Sequence, residues 1–172
     1  SSEFDKCHPK NSFRWQSLAF TMLSPGANPD KLSSKEGNRS KLSSNDSSCV
    51  IRVSDENNSV LFTGDISHKI EKKLSTNNQK VESDILIVPH HGSVSSSHSD
   101  FLAAVNPKLA LVSAGYLNRW RMPRDKVRKR YQDKNIALME TAKYGTISIH
   151  FTDRTFQVKS FRNNDWPYWF AQ

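Results

Sequence analysis

Three short apolar runs, each followed at once by polar residues, constrain the fold of this chain most strongly. They appear in the sequence as VLFTGD, DILIVP and LALVSAG, and amphipathic segments with helical spacing separate them. A continuous apolar run of this length is typical of a strand that is covered on both faces. Strands that alternate with helices predict an α/β (α+β) architecture, in which helices pack on a largely buried sheet.

Further elements flank these runs. Residues 17–23 predict a strand, and SCVIRVSD followed by SVLFTGD predicts a hairpin that turns at Asn57. Ser99 is the predicted N-cap of the helix SDFLAAVNP, and Pro123 opens the basic helix PRDKVRKRYQ. IALMET predicts one more strand, and GTISIHF and TFQVKSF predict a closing hairpin.

The chain has 172 residues, which is enough for one domain with a sizeable core. Although only 35% of residues are hydrophobic, they are clustered into runs rather than scattered. We expect one domain over residues 1–162 and an aromatic tail at 163–172. Residues 27–46 are Ser, Lys, Asn and Gly with almost no apolar residue, which predicts a flexible loop.

The chain is strongly basic, with 25 Lys and Arg against 17 Asp and Glu and a net charge of +8. This excess favours a polyanionic partner, either nucleic acid or an anionic membrane surface, although solubility alone explains it equally well. No apolar run approaches the roughly 20 residues of a membrane-spanning helix, and no secretory signal is visible. The abrupt start without Met is what a segment cut from a longer protein would show. Cys7 and Cys49 are compatible with two buried thiols or with one disulfide.

The ends of the apolar strands carry the residues best suited to chemistry. VLFTGD ends on Asp65, and DILIVP is followed by His90 and His91. Because the carboxyl ends of parallel strands meet at one edge of a sheet, we expect these side chains to share a cleft. Carboxylate and imidazole are suitable ligands for zinc or manganese. A plain turn at Asp65 and an ordinary loop at the histidines are the alternatives. A long distance between Asp65 and both imidazoles would contradict a metal site.

Two further segments have the composition of a phosphate-binding surface. The hydroxyl-rich GSVSSSHS precedes a helix start, where an anion is stabilised, although a solvated Ser-rich loop has the same composition. The basic helix is compatible with a nucleic-acid backbone or with a solvated face. The candidate DNA- or phosphate-binding residues are Ser93, Ser95, Ser96, Asn118, Arg119, Arg124 and Arg128. The chain has neither a GxSxG elbow nor a P-loop, which argues against a serine hydrolase, an NTPase and a nucleotide cofactor.

The order of these motifs resembles one known family. SVLFTGDI, SDILIVPHHGSVSSS, FLAAVNPKLALVSAGYLNRW and KYGTISI are similar to the carboxyl-terminal region of the ComEC family of DNA-internalisation competence proteins. FRWQSLAFTMLSP and NDSSCVIRV match the same family pattern, so the resemblance runs from about Cys7 to Ile149. The string PHHGS, with its trailing serines and the preceding TGD, is the most specific part.

The resemblance implies both a fold and a function. The fold is the αββα sandwich of metallo-β-lactamases, of which this chain would be the latter, carboxyl-terminal half. The function is cleavage of the DNA strand that is not imported, at a site holding divalent manganese or zinc. Asp65 would be the bridging carboxylate, and His90 or His91 would face the metals, with His90 favoured because it lies nearer the strand. The parent protein would lie in the inner membrane, with this domain and a Cys7–Cys49 disulfide on the periplasmic side.

Two departures from the family pattern weaken the catalytic interpretation. The upstream HxHxDH-type metal motif is absent from the 172 residues, so this chain alone is expected to be inactive. Met122 stands where the family often has histidine, and a thioether is a poor ligand for hard ions. Three hypotheses follow, namely a metal-dependent nuclease, a non-catalytic module that binds and guides incoming single- or double-stranded DNA, and a hydrolase of small esters or phosphodiesters. The remaining transmembrane part of the parent protein would be a partner in the first two.

Overall fold

The computed structural model describes residue 7 and residues 9–25, 43–76 and 80–164. The strands are β1 (Phe13–Trp15), β2 (Leu18–Ser24), β3 (Val50–Ser54), β4 (Ser59–Phe62), β5 (Ile85–Ile87), β6 (Leu109–Val112), β7 (Ala137–Glu140), β8 (Ile147–Phe151) and β9 (Phe156–Ser160). The α-helices are α1 (His68–Thr76), α2 (Ser99–Val105), α3 (Asp125–Asp133), α4 (Thr141–Tyr144) and α5 (Phe161–Asn164). Short 3-10 turns cover Pro9–Asn11, Asn45–Ser47 and Pro89–Gly92.

The first seven strands form one mixed sheet in chain order, from β1 at one edge to β7 at the other. The pairs β1–β2, β2–β3 and β3–β4 are antiparallel, whereas the pairs β4–β5, β5–β6 and β6–β7 are parallel. Helices α1, α2 and α3 connect the four parallel strands in turn. The carboxyl ends of these four strands therefore lie along the same edge of the sheet.

The predicted mixed α/β architecture is confirmed, with small differences at element ends. The residues of strand β1 by themselves do not indicate a strand, because all three are exposed and form no apolar run. The N-cap of α2 is His98 rather than Ser99, which is the first helical residue. Helix α3 begins at Asp125, two residues after Pro123. The closing hairpin is the two-stranded sheet β8–β9.

One hydrophobic core joins the sheet and the helices that cover it. Leu61, Leu86 and Ala110, from the three central parallel strands, have no exposed surface. The helices contribute apolar stripes at helical spacing to the same cluster, including Ile70, Leu74, Phe101, Leu102, Val105, Val127 and Tyr131. Burial of these side chains stabilises the layered arrangement, since each contributes on the order of 2 kcal/mol when removed from water.

The predicted polar loop and the aromatic tail lie only partly within the described residues. Residues 43–46, the end of the predicted flexible loop, form part of an ordered turn in which Asp46 is buried; residues 26–42 lie outside the described part of the chain. Of the aromatic tail, residues 165–172 also lie outside it. Cys7 and Cys49 form a disulfide, with their Cα atoms 5.6 Å apart. No helix in the described ranges has both the length and the apolar character needed to cross a bilayer.

Candidate active site

The carboxyl edge of the parallel strands brings Asp65 and His91 together. Asp65 follows β4 and His91 follows β5, and the distance from Asp65 Oδ1 to His91 Nε2 is 3.6 Å. Both side chains are about half exposed, at 43% and 51%. The carboxylate and the imidazole therefore face each other in a position that solvent and a ligand can reach.

Two hydrogen bonds, one from a side chain and one between backbone groups, hold these two strand ends together. The Thr63 hydroxyl donates to the Ile87 carbonyl at 2.7 Å, and the His90 amide donates to the Gly64 carbonyl at 3.0 Å. Gly64 adopts a φ of +54°, and a Cβ there would lie 2.8 Å from the Cβ of Ser48. The turn that presents Asp65 thus requires glycine, for its conformation and for the close approach of Ser48.

The turn after β5 has an unusual backbone. His90, His91 and Gly92 have φ values of +48°, +52° and +78°. Left-handed conformations cost non-glycine residues roughly 1–2 kcal/mol each, and such strain is characteristic of functional sites. The conformation sends the two imidazoles to different environments, which residue spacing alone does not predict.

His91 makes, through Nδ1, the kind of hydrogen bond to a backbone carbonyl that metal-binding histidines usually make. Its Nδ1 lies 2.7 Å from the Ser113 carbonyl oxygen, which can only accept, so Nδ1 carries the proton. In the neutral imidazole the lone pair is then on Nε2, the atom nearest Asp65. Metal-binding histidines generally make this second bond to a carbonyl or carboxylate, which fixes the ring and its tautomer.

His90, which the sequence favoured as the ligand, makes its side-chain contact with the Asn45–Ser47 turn. The Asn45 amide donates to His90 Nε2 at 3.3 Å. The proton is then on Nδ1, which is buried and has no partner among the described residues. Because His90 is the first residue of the left-handed pair, its ring turns back against the Asn45–Ser47 turn.

The Asn45–Ser47 turn supports the site, and sequence reasoning from the residues alone did not identify it. Asp46 is buried and accepts bonds from the amide and the hydroxyl of Ser67, at 3.1 and 2.6 Å. The Ser48 hydroxyl accepts a hydrogen bond from the backbone amide of Asp65 at 3.2 Å. These residues lie in or next to the polar stretch whose composition predicts a loop. In the sequence, only the resemblance of NDSSCVIRV to a family pattern indicates that they are important.

The serines after His91 divide into two groups. The Ser93 and Ser95 hydroxyls lie 3.2 Å apart near the surface. Ser96 is completely buried, and its hydroxyl donates to the Pro89 and Ser93 carbonyls, both at 2.9 Å. Ser96 therefore shapes the loop from inside, and only Ser93 and Ser95 of the predicted phosphate-binding serines are accessible to a ligand.

The basic residues predicted to bind DNA line a cleft of about 680 Å³ beside the site, here called the arginine cleft. Asn118 braces its wall, because its side chain bonds the Gly115 carbonyl and both backbone groups of Met122. Arg128 is already paired with Glu140 and Asp125. The other lining arginines are Arg119, Arg121 and Arg124.

A second cleft, of about 390 Å³, connects the arginine cleft with His91 and is here called the His91 cleft. His91, Ser113, Trp120, Met122 and Thr141 line it, together with Ala114, Gly115 and Asn118. Met122, the departure from the family pattern, thus lies close to the imidazole that faces Asp65. Its thioether adds an apolar wall rather than a ligand for a hard ion.

A buried carboxyl lies behind the serine loop. Glu71, on α1, has no exposed surface and accepts the backbone amides of His98, at 3.0 Å, and Ser97. Burial raises the pKa of Glu71 to about 7, although the two amides and the nearby Arg130 oppose the shift. Tyr131 completes the cluster by bonding the Ser97 hydroxyl at 2.9 Å.

We expect Glu71 to make the fold more stable in mild acid. A folded pKa of about 7 lies above the ordinary value of 4.5, so stability from the protonated form is complete below pH 4.5 and is lost as the pH rises through 7. The largest contribution is about 3 kcal/mol. Urea denaturation of the protein and of Glu71→Gln between pH 4 and pH 8 tests this. The difference between the two pH profiles should shrink by that amount toward pH 8; a constant difference would contradict it.

Comparison with known proteins identifies relatives along most of the chain. Residues 38–116 match the family model described as the metallo-beta-lactamase superfamily. The chain is 36% identical to the protein YcaI of Escherichia coli over 96% of its own length and 21% of the relative. It is 34% identical to ComE operon protein 3 of Bacillus subtilis, over 82% of the chain and 17% of the relative. It is 32% identical to competence protein ComA of Neisseria gonorrhoeae, over 80% of the chain and 18% of the relative.

The chain therefore spans about a fifth of the length of these curated relatives. The matched metallo-β-lactamase segment contains β3 to β6 and with them both Asp65 and His91. The resemblance drawn from the PHHGS and TGD motifs is confirmed by these relatives. Over most of its length the chain is therefore homologous to a segment of the ComEC family of competence proteins, and it carries a metallo-β-lactamase-type α/β fold.

Proposed function

We propose that this chain is the hydrolytic part of a DNA-uptake protein, in which Asp65 and His91 hold a divalent ion at a phosphodiester of incoming DNA. The observation that carries the proposal is the pairing of Asp65 Oδ1 with His91 Nε2 at 3.6 Å, at the carboxyl edge of the sheet. The competence proteins among the relatives connect the chain with DNA uptake. The net charge of +8 suits a polyanionic substrate.

The donor set fits part of such a site. Carboxylate oxygen and imidazole nitrogen are ligands that zinc and manganese accept, and His91 has its Nδ1 proton directed away from the ion. Within the described ranges, no third His, Cys, Asp or Glu side chain joins these two in a metal-binding group. A bound divalent ion supplies Lewis-acid polarisation of the phosphoryl oxygens and a water of lowered pKa.

The residues of this chain then bind and orient the substrate. Asp65 and His91 hold the ion, and the Ser113 carbonyl keeps the His91 ring in place. The Ser93 and Ser95 hydroxyls, which lie 3.2 Å apart near the surface, contact a neighbouring phosphate. Arg119 and Arg124 contact the strand beyond the cleft, where each charge favours the backbone without reading the sequence.

We also propose that the domain faces the outside of the inner membrane, attached to the transmembrane part of its parent protein. The Cys7–Cys49 disulfide supports this placement, because disulfides persist in oxidising compartments. Alkylation of free thiols before and after reduction, on protein taken from intact cells, tests it. Two thiols that react only after reduction are expected, whereas two thiols that react at once would contradict it.

A non-catalytic DNA-binding module is the second candidate, and Met122 on the wall of the His91 cleft favours it. Incubation of the native, full-length protein with labelled DNA and manganese separates the two. The first proposal expects cleavage that stops when the metal is chelated. Tight binding with a steep salt dependence, no cleavage and no metal uptake would favour the module. Cleavage of small esters with indifference to DNA would contradict both.

A further inference from the structure

The loop that follows β6 exposes large apolar side chains that no core needs. Tyr116, Leu117 and Trp120 are 71%, 84% and 54% exposed, and Trp120 lies between two arginines in the sequence GYLNRWR. Isolated exposed apolar residues are common, but three in five positions form a patch that marks an interaction surface. We name residues 115–122 the aromatic loop.

Hydrogen bonds within the aromatic loop fix its conformation. The Asn118 side chain bonds backbone groups of Gly115 and Met122, at distances of 2.7 to 3.0 Å. Leu117 and Arg121 have φ values of +49° and +51°, a conformation that costs non-glycine residues energy. The loop thus keeps its apolar side chains on the surface at a conformational cost, which points to a role in binding.

The charge around the loop is positive. The Arg119 guanidinium lies 4.2 Å from the centroid of the Trp120 ring, in a cation–π contact, and Trp120 as a whole remains 54% exposed. Arg121 and Arg124 line the arginine cleft, and neither forms an ion pair within the described ranges. An exposed ring flanked by uncompensated guanidinium groups suits a polyanion that also has flat apolar faces.

The position of Trp120 relates this surface to the candidate active site. Trp120 and His91 line the same cleft of about 390 Å³, and Met122 forms part of its wall. Unpaired bases can enter such a cleft and stack on an aromatic ring, whereas the bases of a duplex are stacked within the helix and cannot. The cleft therefore selects the strandedness of the ligand rather than its sequence.

We propose that the aromatic loop binds single-stranded nucleic acid, with an unpaired base stacked on Trp120 and the adjoining phosphates at Arg121 and Arg124. This rests on the proposed function in one respect, since it defines the form of the DNA that is presented to His91 and Asp65. Trp120 is a positioning residue, because it sets the place of the strand without touching the reacting phosphate.

Binding of labelled oligothymidylate to the full chain, followed by fluorescence anisotropy with chelator present, tests the proposal. Trp120→Ala should weaken binding of the single strand roughly tenfold to a hundredfold, the loss expected for one base–aromatic stack. Binding of a duplex should change less than about twofold, since no base is available to stack. Trp120→Phe should restore most of the affinity. Trp15→Ala is the matched control, because Trp15 is 62% exposed on β1 and lies outside both clefts.

The two binding contributions respond differently to salt. Arg121→Gln and Arg124→Gln should each lower the slope of log affinity against log salt by about one, whereas Trp120→Ala should leave the slope unchanged. Equal losses for single strand and duplex, or no loss in Trp120→Ala, would overturn the proposal. So would Trp120-dependent binding to phosphatidylserine vesicles without Trp120-dependent binding to the oligonucleotide, which would make the loop a membrane contact.

The two proposals fail separately, because the binding assay contains no metal. Loss of cleavage in Asp65 and His91 variants with normal binding in Trp120→Ala would leave the proposed function and overturn the stacking loop. Trp120-dependent binding of single strands without any metal-dependent cleavage would support the stacking loop and overturn the proposed function.

Discussion

Replacing Asp65 with asparagine or His91 with alanine is expected to lower metal-dependent cleavage of DNA by at least about a hundredfold. Loss of a residue that merely orients a metal ligand lowers metal affinity or activity by about 10- to 100-fold, and loss of a ligand itself should cost more. Both side chains are about half exposed, so Asp65→Asn should shift the free energy of unfolding by at most about 0.5 kcal/mol. His91→Ala also loses the bond to the Ser113 carbonyl, so its shift should be at most about 1.5 kcal/mol. Cleavage rates of the native protein in manganese, measured beside urea denaturation, separate chemistry from folding.

Matched controls for these variants lie in the β8–β9 hairpin. His150→Ala and Asp153→Asn remove the same side-chain types from exposed positions outside both clefts. Both should cleave at the rate of the unchanged protein. Normal cleavage in Asp65→Asn and His91→Ala, with stability unchanged, would show that the reaction takes place elsewhere.

Gly92→Ala is expected to destabilise the protein by roughly 4 kcal/mol, the second large effect. Gly92 has a φ of +78°, which alanine adopts at a cost, and its new Cβ would lie 2.4 Å from the Cβ of Pro123 and 2.9 Å from its Cα. Pro123 and Arg124 lead into α3, and the Arg124 amide donates to the Gly92 carbonyl at 3.0 Å. The turn cannot move away from this contact without moving His91 as well.

Gly115→Ala is the control for Gly92→Ala. A Cβ at Gly115 meets no atom within 4 Å, and its φ is not in the left-handed range. We expect a change of at most about 0.5 kcal/mol for this surface substitution. Equal urea midpoints for the two variants would mean that the close packing of the histidine turn on α3 does not exist.

Much of the fold can be predicted from the apolar runs because burial on both faces demands them. VLF, ILI and LALV become β4, β5 and β6, and the stripe Ile70 and Leu74 becomes the buried face of α1. Strand β1 has no such signal, because Phe13 and Trp15 are exposed. Its strand conformation depends on pairing with β2, a tertiary contact that local sequence does not encode.

The candidate site is less predictable than the fold. Chain order places Asp65 and the two histidines at one edge, but the choice between His90 and His91 depends on two left-handed residues. Sequence favours His90 because it is nearer the strand, and the backbone turns it toward Asn45 instead. Ser96 has the same side chain as Ser93 and Ser95, and only its burial distinguishes it.

The residues that line the two clefts are also hard to identify from the sequence. Arg119, Arg124 and Arg128 look alike in the sequence, but Arg128 is paired with Glu140, which lies at the end of β7. Trp120 gives no sign in the sequence that it shares a cleft with His91. Contacts between residues far apart in the chain decide which charges and rings are available to a ligand.

Paramagnetic broadening of backbone amide signals by substoichiometric manganese tests the central claim most directly. It locates a bound ion even when binding is weak, and it needs no catalysis. The signals of Asp65, His91 and Ser113 should broaden first, and both Asp65→Asn and His91→Ala should abolish this. Broadening that begins elsewhere, such as at Asp84 on the opposite edge of the sheet, or that survives both substitutions, would contradict a metal site formed by Asp65 and His91.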